Sequence, residues 1–135
     1  MAFSHGTVAT FVFDSGDLSA FSDNISWNRT RVAGDVTNFA SGGDTEVLGG
    51  LRSATFTVTG KFDATATTGT AAILNKDLED DVGDPKAFTI EQDGVGKITG
   101  SAILNGYTES IPVGDIITWS ADFTTSGAIT TTNQV

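Results

Sequence analysis

From Leu51 to Asp63 the chain alternates. Ala54, Phe56, Val58 and Phe62 fall on one face, and Ser53, Thr55, Thr57, Thr59, Lys61 and Asp63 on the other. Side chains leave a strand on opposite sides in turn, so a period of two marks a strand with one buried and one wet face. Two more runs repeat the pattern. Residues 97–111 set Ile98, Ala102 and Leu104 against Thr99, Ser101 and Asn105; residues 113–123 set Val113, Ile117, Trp119, Ala121 and Phe123 against Thr118, Ser120 and Asp122. They meet at Ile111-Pro112-Val113-Gly114, which predicts a hairpin or a strand bent at a sheet corner, where Pro and Gly are tolerated. Weaker extended segments run from Val8 to Asp14, from Leu18 to Val32 with Phe21, Ile25 and Trp27, and from Phe88 to Gln92 between the turn pairs Asp84-Pro85 and Asp93-Gly94. Composition agrees: 21 Thr, with Val and Ile, make 40 β-branched residues, which favour strands.

One window suits a helix, roughly residues 67–81. Ala71, Leu74 and Leu78 form an i, i+3, i+7 stripe, Thr68 or Thr70 can cap its start, and Gly83 with Pro85 stops it. The predicted fold is mostly β: one antiparallel β-sandwich or barrel-like domain over residues 1–135, with one flanking α-helix. Residues 33–50 hold Gly34, Gly42, Gly43, Gly49 and Gly50 together with Val36, Phe39, Val47 and Leu48. They read as a long loop. Its glycines are entropically costly to order, which predicts a segment fixed only by a partner. Residues 127–135, small and polar, read as a flexible C-terminal segment.

Charge and residue inventory narrow the function. With seven Lys and Arg against seventeen Asp and Glu the net charge is −10, which argues against tight nucleic-acid binding. No run approaches a membrane span, and no basic-then-apolar leader argues for export. The chain has no Cys, one His (His5) and no G-x-S-x-G, so no triad or thiol chemistry is indicated. Gly94-Val95-Gly96-Lys97-Ile98-Thr99-Gly100 lacks phosphate-loop spacing and reads as a turn. The acidic run Asp77, Glu79, Asp80, Asp81 and Asp84 does not fit a calcium loop, because Val82 stands where Gly is required and Phe88 where the bidentate Glu belongs. Acids at a helix C-terminus oppose the macrodipole, which leaves room for a basic partner. Sequons at Asn24 and Asn28 mean little without a leader. The expectation is a non-enzyme with no cofactor and no metal.

Three stretches resemble the major tail protein, or tail tube protein, of long-tailed bacteriophages. Asp35-Val36-Thr37-Asn38-Phe39 is similar to a D-V-T-x-F that opens the family's long loop. Gly50-Leu51-Arg52-Ser53-Ala54-Thr55-Phe56, through Gly60-Lys61-Phe62-Asp63, is similar to its G-L-[KR]-D-x-x-F strand with a closing G-x-F-D, Ser53 replacing the usual acid. The third, Ser110 to Phe123, carries a P-V-G-D run before an alternating strand, with Gly127 after it. The paired Gly42-Gly43 departs from the family pattern.

The resemblance implies a β-sandwich with a flanking helix whose copies form hexameric rings stacked into a tube. Through this tube the genome leaves the capsid. It implies Asp35, Val36, Thr37, Phe39, Val47 and Leu48 as the inter-ring contact loop. Asp63, Glu109, Asp115 and Asp122, on or beside the longest strands, are the candidate lumen-facing acids. Four strands per subunit give 24 strands; at about 4.8 Å spacing and about 40° tilt the barrel is roughly 48 Å across, wide enough for a duplex of about 20 Å. Six chains at −10 put −60 on each ring, so DNA passes without specific binding. The implied partners are further copies, a tape measure protein, a tail terminator and distal tail proteins, with no membrane. The implied location is the virion tail, assembled in the host cytoplasm. The tube protein of a contractile injection system is the nearest alternative. A carbohydrate- or calcium-binding β-sandwich module is a more distant one, as is a pilus or adhesin subunit.

Overall fold

The computed structural model describes residues 9–63, 69, 73–74, 76–79, 83–92 and 96–132. The alternating segment is the heart of a fifteen-residue strand, β4 (Val47–Lys61). Ala54, Phe56 and Val58 are buried as the periodicity requires, and Thr55 lies on the exposed side. Six more strands join it: β1 (Thr10–Phe13), β2 (Gly16–Asp17), β3 (Ser22–Asp35), β5 (Lys86–Glu91), β6 (Lys97–Ser110) and β7 (Thr118–Thr132). All pairings are antiparallel, in one sheet of order β2-β1-β5-β6-β7-β4-β3.

The sheet curls on itself. Phe11 of β1 meets Phe56 of β4 edge-on at 6.0 Å, and Trp27 of β3 meets Phe88 of β5 at 6.1 Å. Strands near opposite ends of the order touch only if the sheet closes into a barrel-like body. Phe56 is central to the core, stacked on Phe123 at 4.6 Å and tilted against Phe88 at 4.8 Å; such pairs add about 0.5–1.5 kcal/mol beyond area burial. Leu18, Ile90, Ile98, Ala102, Leu104 and Trp119 complete it. Between β2 and β3 a 3-10 turn, Ser19–Phe21, is tied to β1, the Phe11 amide donating to the Ser19 hydroxyl at 3.0 Å. There the Trp119 indole N–H donates to the carbonyls of Phe21 (3.1 Å) and Lys61 (3.0 Å), tying turn, β4 and β7 together.

Several boundaries differ from the sequence reading. Much of 33–50 is not loop: Ala33, Gly34 and Asp35 pair with Gly49, Leu48 and Val47, so β3 and β4 form one long hairpin with only residues 36–46 at its tip. Backbone pairing overrides the glycine content. Strand β7 begins at Thr118, not Val113, and Val113 is fully exposed. Pro112 lacks the N–H a ladder needs, so residues 111–117 form a connection outside the sheet. At the other end β7 runs to Thr132, pairing Thr130, Thr131 and Thr132 with Thr99, Ile98 and Lys97, where a flexible segment was expected. Within the helix window α1 covers Lys76–Glu79, preceded by an Ile73 N–H to Gly69 carbonyl bond of 3.2 Å. Leu74 is buried but Leu78 is exposed. Ala71 and the other residues of that window lie outside the described residues, as do His5, Gly94, Val95, Asp80 and Asp81.

Candidate functional site

Pairing of β4 with β7 stops at Thr55 and Thr124. There the Thr125 hydroxyl takes the place of a backbone partner, accepting from the Ala54 amide (3.2 Å) and donating to the Ala54 carbonyl (3.1 Å). Beyond this fork the β3–β4 hairpin leaves the body as an arm. Every residue from Asn28 to Ser53 is exposed except the half-buried Ser41. The eight residues Val47–Ala54 alone make the arm about 27 Å long.

Side chains lock the tip. The Asp35 carboxylate accepts from the Thr37 amide at 2.8 Å, and hydrogen bonds from the Thr37 side chain and amide hold its carboxyl below the ordinary aspartate range. The Val36 amide donates to the Glu46 carbonyl (3.0 Å), and the Glu46 amide to the Thr37 hydroxyl (2.7 Å). Asn38 and Ser41 cap a 3-10 turn, Phe39–Ser41, reciprocally. The expectation that the loop supplies little of its own order therefore fails: Asp, Asn, Ser and Thr satisfy the backbone locally. These bonds point Phe39 into solvent, wholly exposed, beside exposed Val36, Val47 and Leu48. The six predicted contact residues thus sit together at one tip, with Val32 and Leu51 exposed along the same arm.

A second apolar tip stands at the other end of β4. Lys61 pairs with Thr118, which pairs with Ser110, and the Phe62 amide donates to the Ile117 carbonyl at 2.9 Å. The connection 111–117 therefore sits beside the C-terminal end of β4, about 45 Å along the strand from the arm tip. Ile111, Val113 and Ile116 are exposed there. Sequence reading placed Val113 in a strand and missed this tip; the available signal was three large aliphatics within six residues of a Pro-Gly turn.

The face of β6-β7-β4-β3 turned away from the core carries mostly small polar groups, with Ile103 of β6 and Lys61 of β4 among them. Asn24, Ser26, Asn28 and Thr30 oppose Thr59, Thr57, Thr55 and Ser53, and Thr55, Thr57 and Thr59 oppose Thr124, Asp122 and Ser120. Asp122 lies mid-strand in it, accepting from the Thr57 hydroxyl at 2.8 Å. The other predicted acids are not gathered there. Glu109 opposes Trp119 on the core side of β6, exposed at the strand end. Asp115, in the connection, accepts from the Ile116 amide at 2.7 Å, and half-buried Asp63 follows the end of β4. Among the described residues no group of three His, Cys, Asp or Glu is placed to hold a metal, and no helix is long and apolar enough to cross a membrane.

No protein-family model matches the chain. No curated protein matches it in sequence. Solved structures do match. A chain from the tail of an empty gene transfer agent particle, of C6 symmetry, is 19% identical over 96% of this chain and 99% of that one, with a TM-score of 0.79. A chain from the sheath/tube terminator of an extracellular contractile injection system is 12% identical over 97% of both, at 0.74. A chain of the SPP1 tail tube is 15% identical over 98% of this chain and 81% of that one, at 0.64. The chain has the fold of tail tube proteins.

Proposed function

We propose that this chain is the major subunit of a tail tube: six copies close into a ring, rings stack, and the genome passes through the lumen during ejection. The observation that carries the reading is the pair of apolar tips at opposite ends of β4. A patch at each end, different in sequence, is suited to head-to-tail contact, which propagates without limit along an axis. Phe39, Val36, Val47 and Leu48 of one copy supply one side, and Ile111, Val113 and Ile116 of the next supply the other. The four contiguous strands β6-β7-β4-β3 form the tube wall. Their polar face turns inward, presenting hydroxyls and amides, a ring of six Asp122 carboxylates and six Lys61–Asp23 pairs. The cation that β4 adds to this wall, Lys61, is already paired with Asp23 at 2.6 Å, so the wall offers duplex DNA little from which to displace counterions. Partners follow from the role: further copies, a tape measure protein inside the growing tube, a terminator and distal tail proteins at its ends. Assembly takes place in the host cytoplasm and the product resides in the virion tail.

The likeness to a contractile injection system chain supports a second reading, a tube enclosed by a sheath. Electron microscopy of the concentrated protein tests the first. The expected result is hollow tubes of stacked sixfold rings; a protein that stays monomeric at millimolar concentration overturns it. Binding of a purified sheath protein along the tube wall would favour the second.

A further inference from the structure

The core side of the β3–β4 hairpin changes character as it leaves the body. Within the body it carries Ile25 and Trp27 against Val58 and Phe56; one step further Arg29 opposes Ala54, and then Arg31 opposes Arg52. These are all three arginines of the chain. With Thr30 they line one open pocket of about 350 Å³, and Arg29 and Arg52 also line the adjoining cleft at the fork, about 440 Å³, with Gly127, Ala128 and Ile129. Arg31 lies across Gly49, where an added Cβ would stand 2.9 Å from its Cδ and 3.1 Å from its Nη1, so the glycine makes room for the guanidinium. Like charges directly opposite on a sheet are unfavourable. Among the described residues no carboxylate pairs with any of the three, whereas Lys61 pairs with Asp23 and Lys97 with Glu91. In a chain with seventeen acids, the arginines are gathered where none of the described carboxylates pairs with them.

We infer that this arginine cluster docks carboxylates of a second copy, those of the run Asp77, Glu79, Asp80, Asp81 and Asp84. The inference rests on the self-assembly proposed above. Five acids in eight residues are the densest negative charge in the sequence. Guanidinium forks pair with carboxylates bidentately, which fixes register as well as attraction. Nucleic acid is the other polyanion to consider, and two observations disfavour it. The arginines lie on the opposite side of the strands from the polar face, turned away from the proposed lumen, and Asp35, Asp44 and Glu46 stand at the tip of the same arm.

Charge exchange tests the docking. Changing Arg29, Arg31 and Arg52 to Gln should raise the concentration needed for tube formation at least tenfold and flatten its salt dependence, while the thermal midpoint of the unassembled chain stays put. Glu79→Lys with Asp80→Lys and Asp84→Lys should impair assembly alone, and combining them with Arg→Glu at the three positions should restore it. Tubes from the Gln variant at the wild-type concentration, or no restoration in the combined variant, overturn the inference while leaving the tube reading intact. A wild-type chain that never assembles removes the tube reading itself. Duplex DNA held by the wild type and released by the Gln variant, with assembly unchanged, would assign the arginines to nucleic acid and likewise overturn the docking.

Discussion

Truncating Phe39 to Ala separates folding from assembly. In the single chain this side chain is wholly exposed, held outward by the capped turn on Asn38 and Ser41. Its removal takes nothing from the core, and exposed substitutions of this kind stay within about 0.5 kcal/mol, roughly 2 °C in a chain of this size. In the proposed stacked tube the Phe39 ring would be buried against the next copy, and burying a Phe side chain contributes about 1.5–3 kcal/mol. Each subunit added then loses that amount, which raises the concentration at which tubes form by about 10- to 150-fold. Sedimentation of tubes over a concentration series reads the shift, and thermal unfolding of the dilute chain reads the fold. Phe56→Ala is the contrasting control, since it empties the core and should cost about 3–5 kcal/mol. An unchanged assembly threshold for Phe39→Ala, or a midpoint lowered by more than about 5 °C, refutes the reasoning.

Four further outcomes are expected. Gly60→Ala places a Cβ 1.7 Å from the Phe21 carbonyl oxygen; strand and turn must part, lowering stability by about 1–3 kcal/mol or more, read by denaturant unfolding. Val113→Ser with Ile116→Ser, both exposed at the opposite tip, should weaken assembly as Phe39→Ala does and leave the unfolding midpoint in place. Asp122→Lys, mid-strand on the polar face, should leave tubes intact but make them retain duplex DNA at low salt, an effect that fades steeply as salt rises; no retention in a filter-binding assay would count against an inward-facing Asp122. The Asp35 carboxyl is held below its ordinary range by Thr37, so the order it lends the tip is complete above that range and lost as pH falls through its own lowered value. Amide protection of Thr37 should therefore be flat through neutrality and drop only below about pH 4.

The body of the fold was legible because burial and backbone period coincide there. Ala54, Phe56, Val58, Ile98, Ala102, Leu104, Trp119, Ala121 and Phe123 are all buried, and all stood on the apolar side of an alternating run. The arm was legible only in part. Its apolar tip residues showed in sequence, but the pairing of Ala33, Gly34 and Asp35 did not, because both faces of the arm meet water and no alternation marks a strand that buries neither side. The extension of β7 to Thr132 escaped for the same reason: Ser126, Gly127, Ala128, Thr130, Thr131 and Thr132 are exposed on either face.

The arginine cluster was beyond sequence for a different reason. Arg29 and Arg31 are neighbours on one face by spacing alone, but Arg52 joins them only through register, and a slip of one residue would carry it to the other face. The pairs Ile25–Val58 and Trp27–Phe56, each a half-buried side chain against a buried one, set that register inside the body, and Arg29–Ala54 begins to carry it outward along the arm. A core thus dictates which charged residues meet some distance beyond it. Exchanging hydrophobic residues within those pairs at constant volume should leave the cluster in place. A β-bulge inserted between Phe56 and Ala54 should scatter it without touching an arginine.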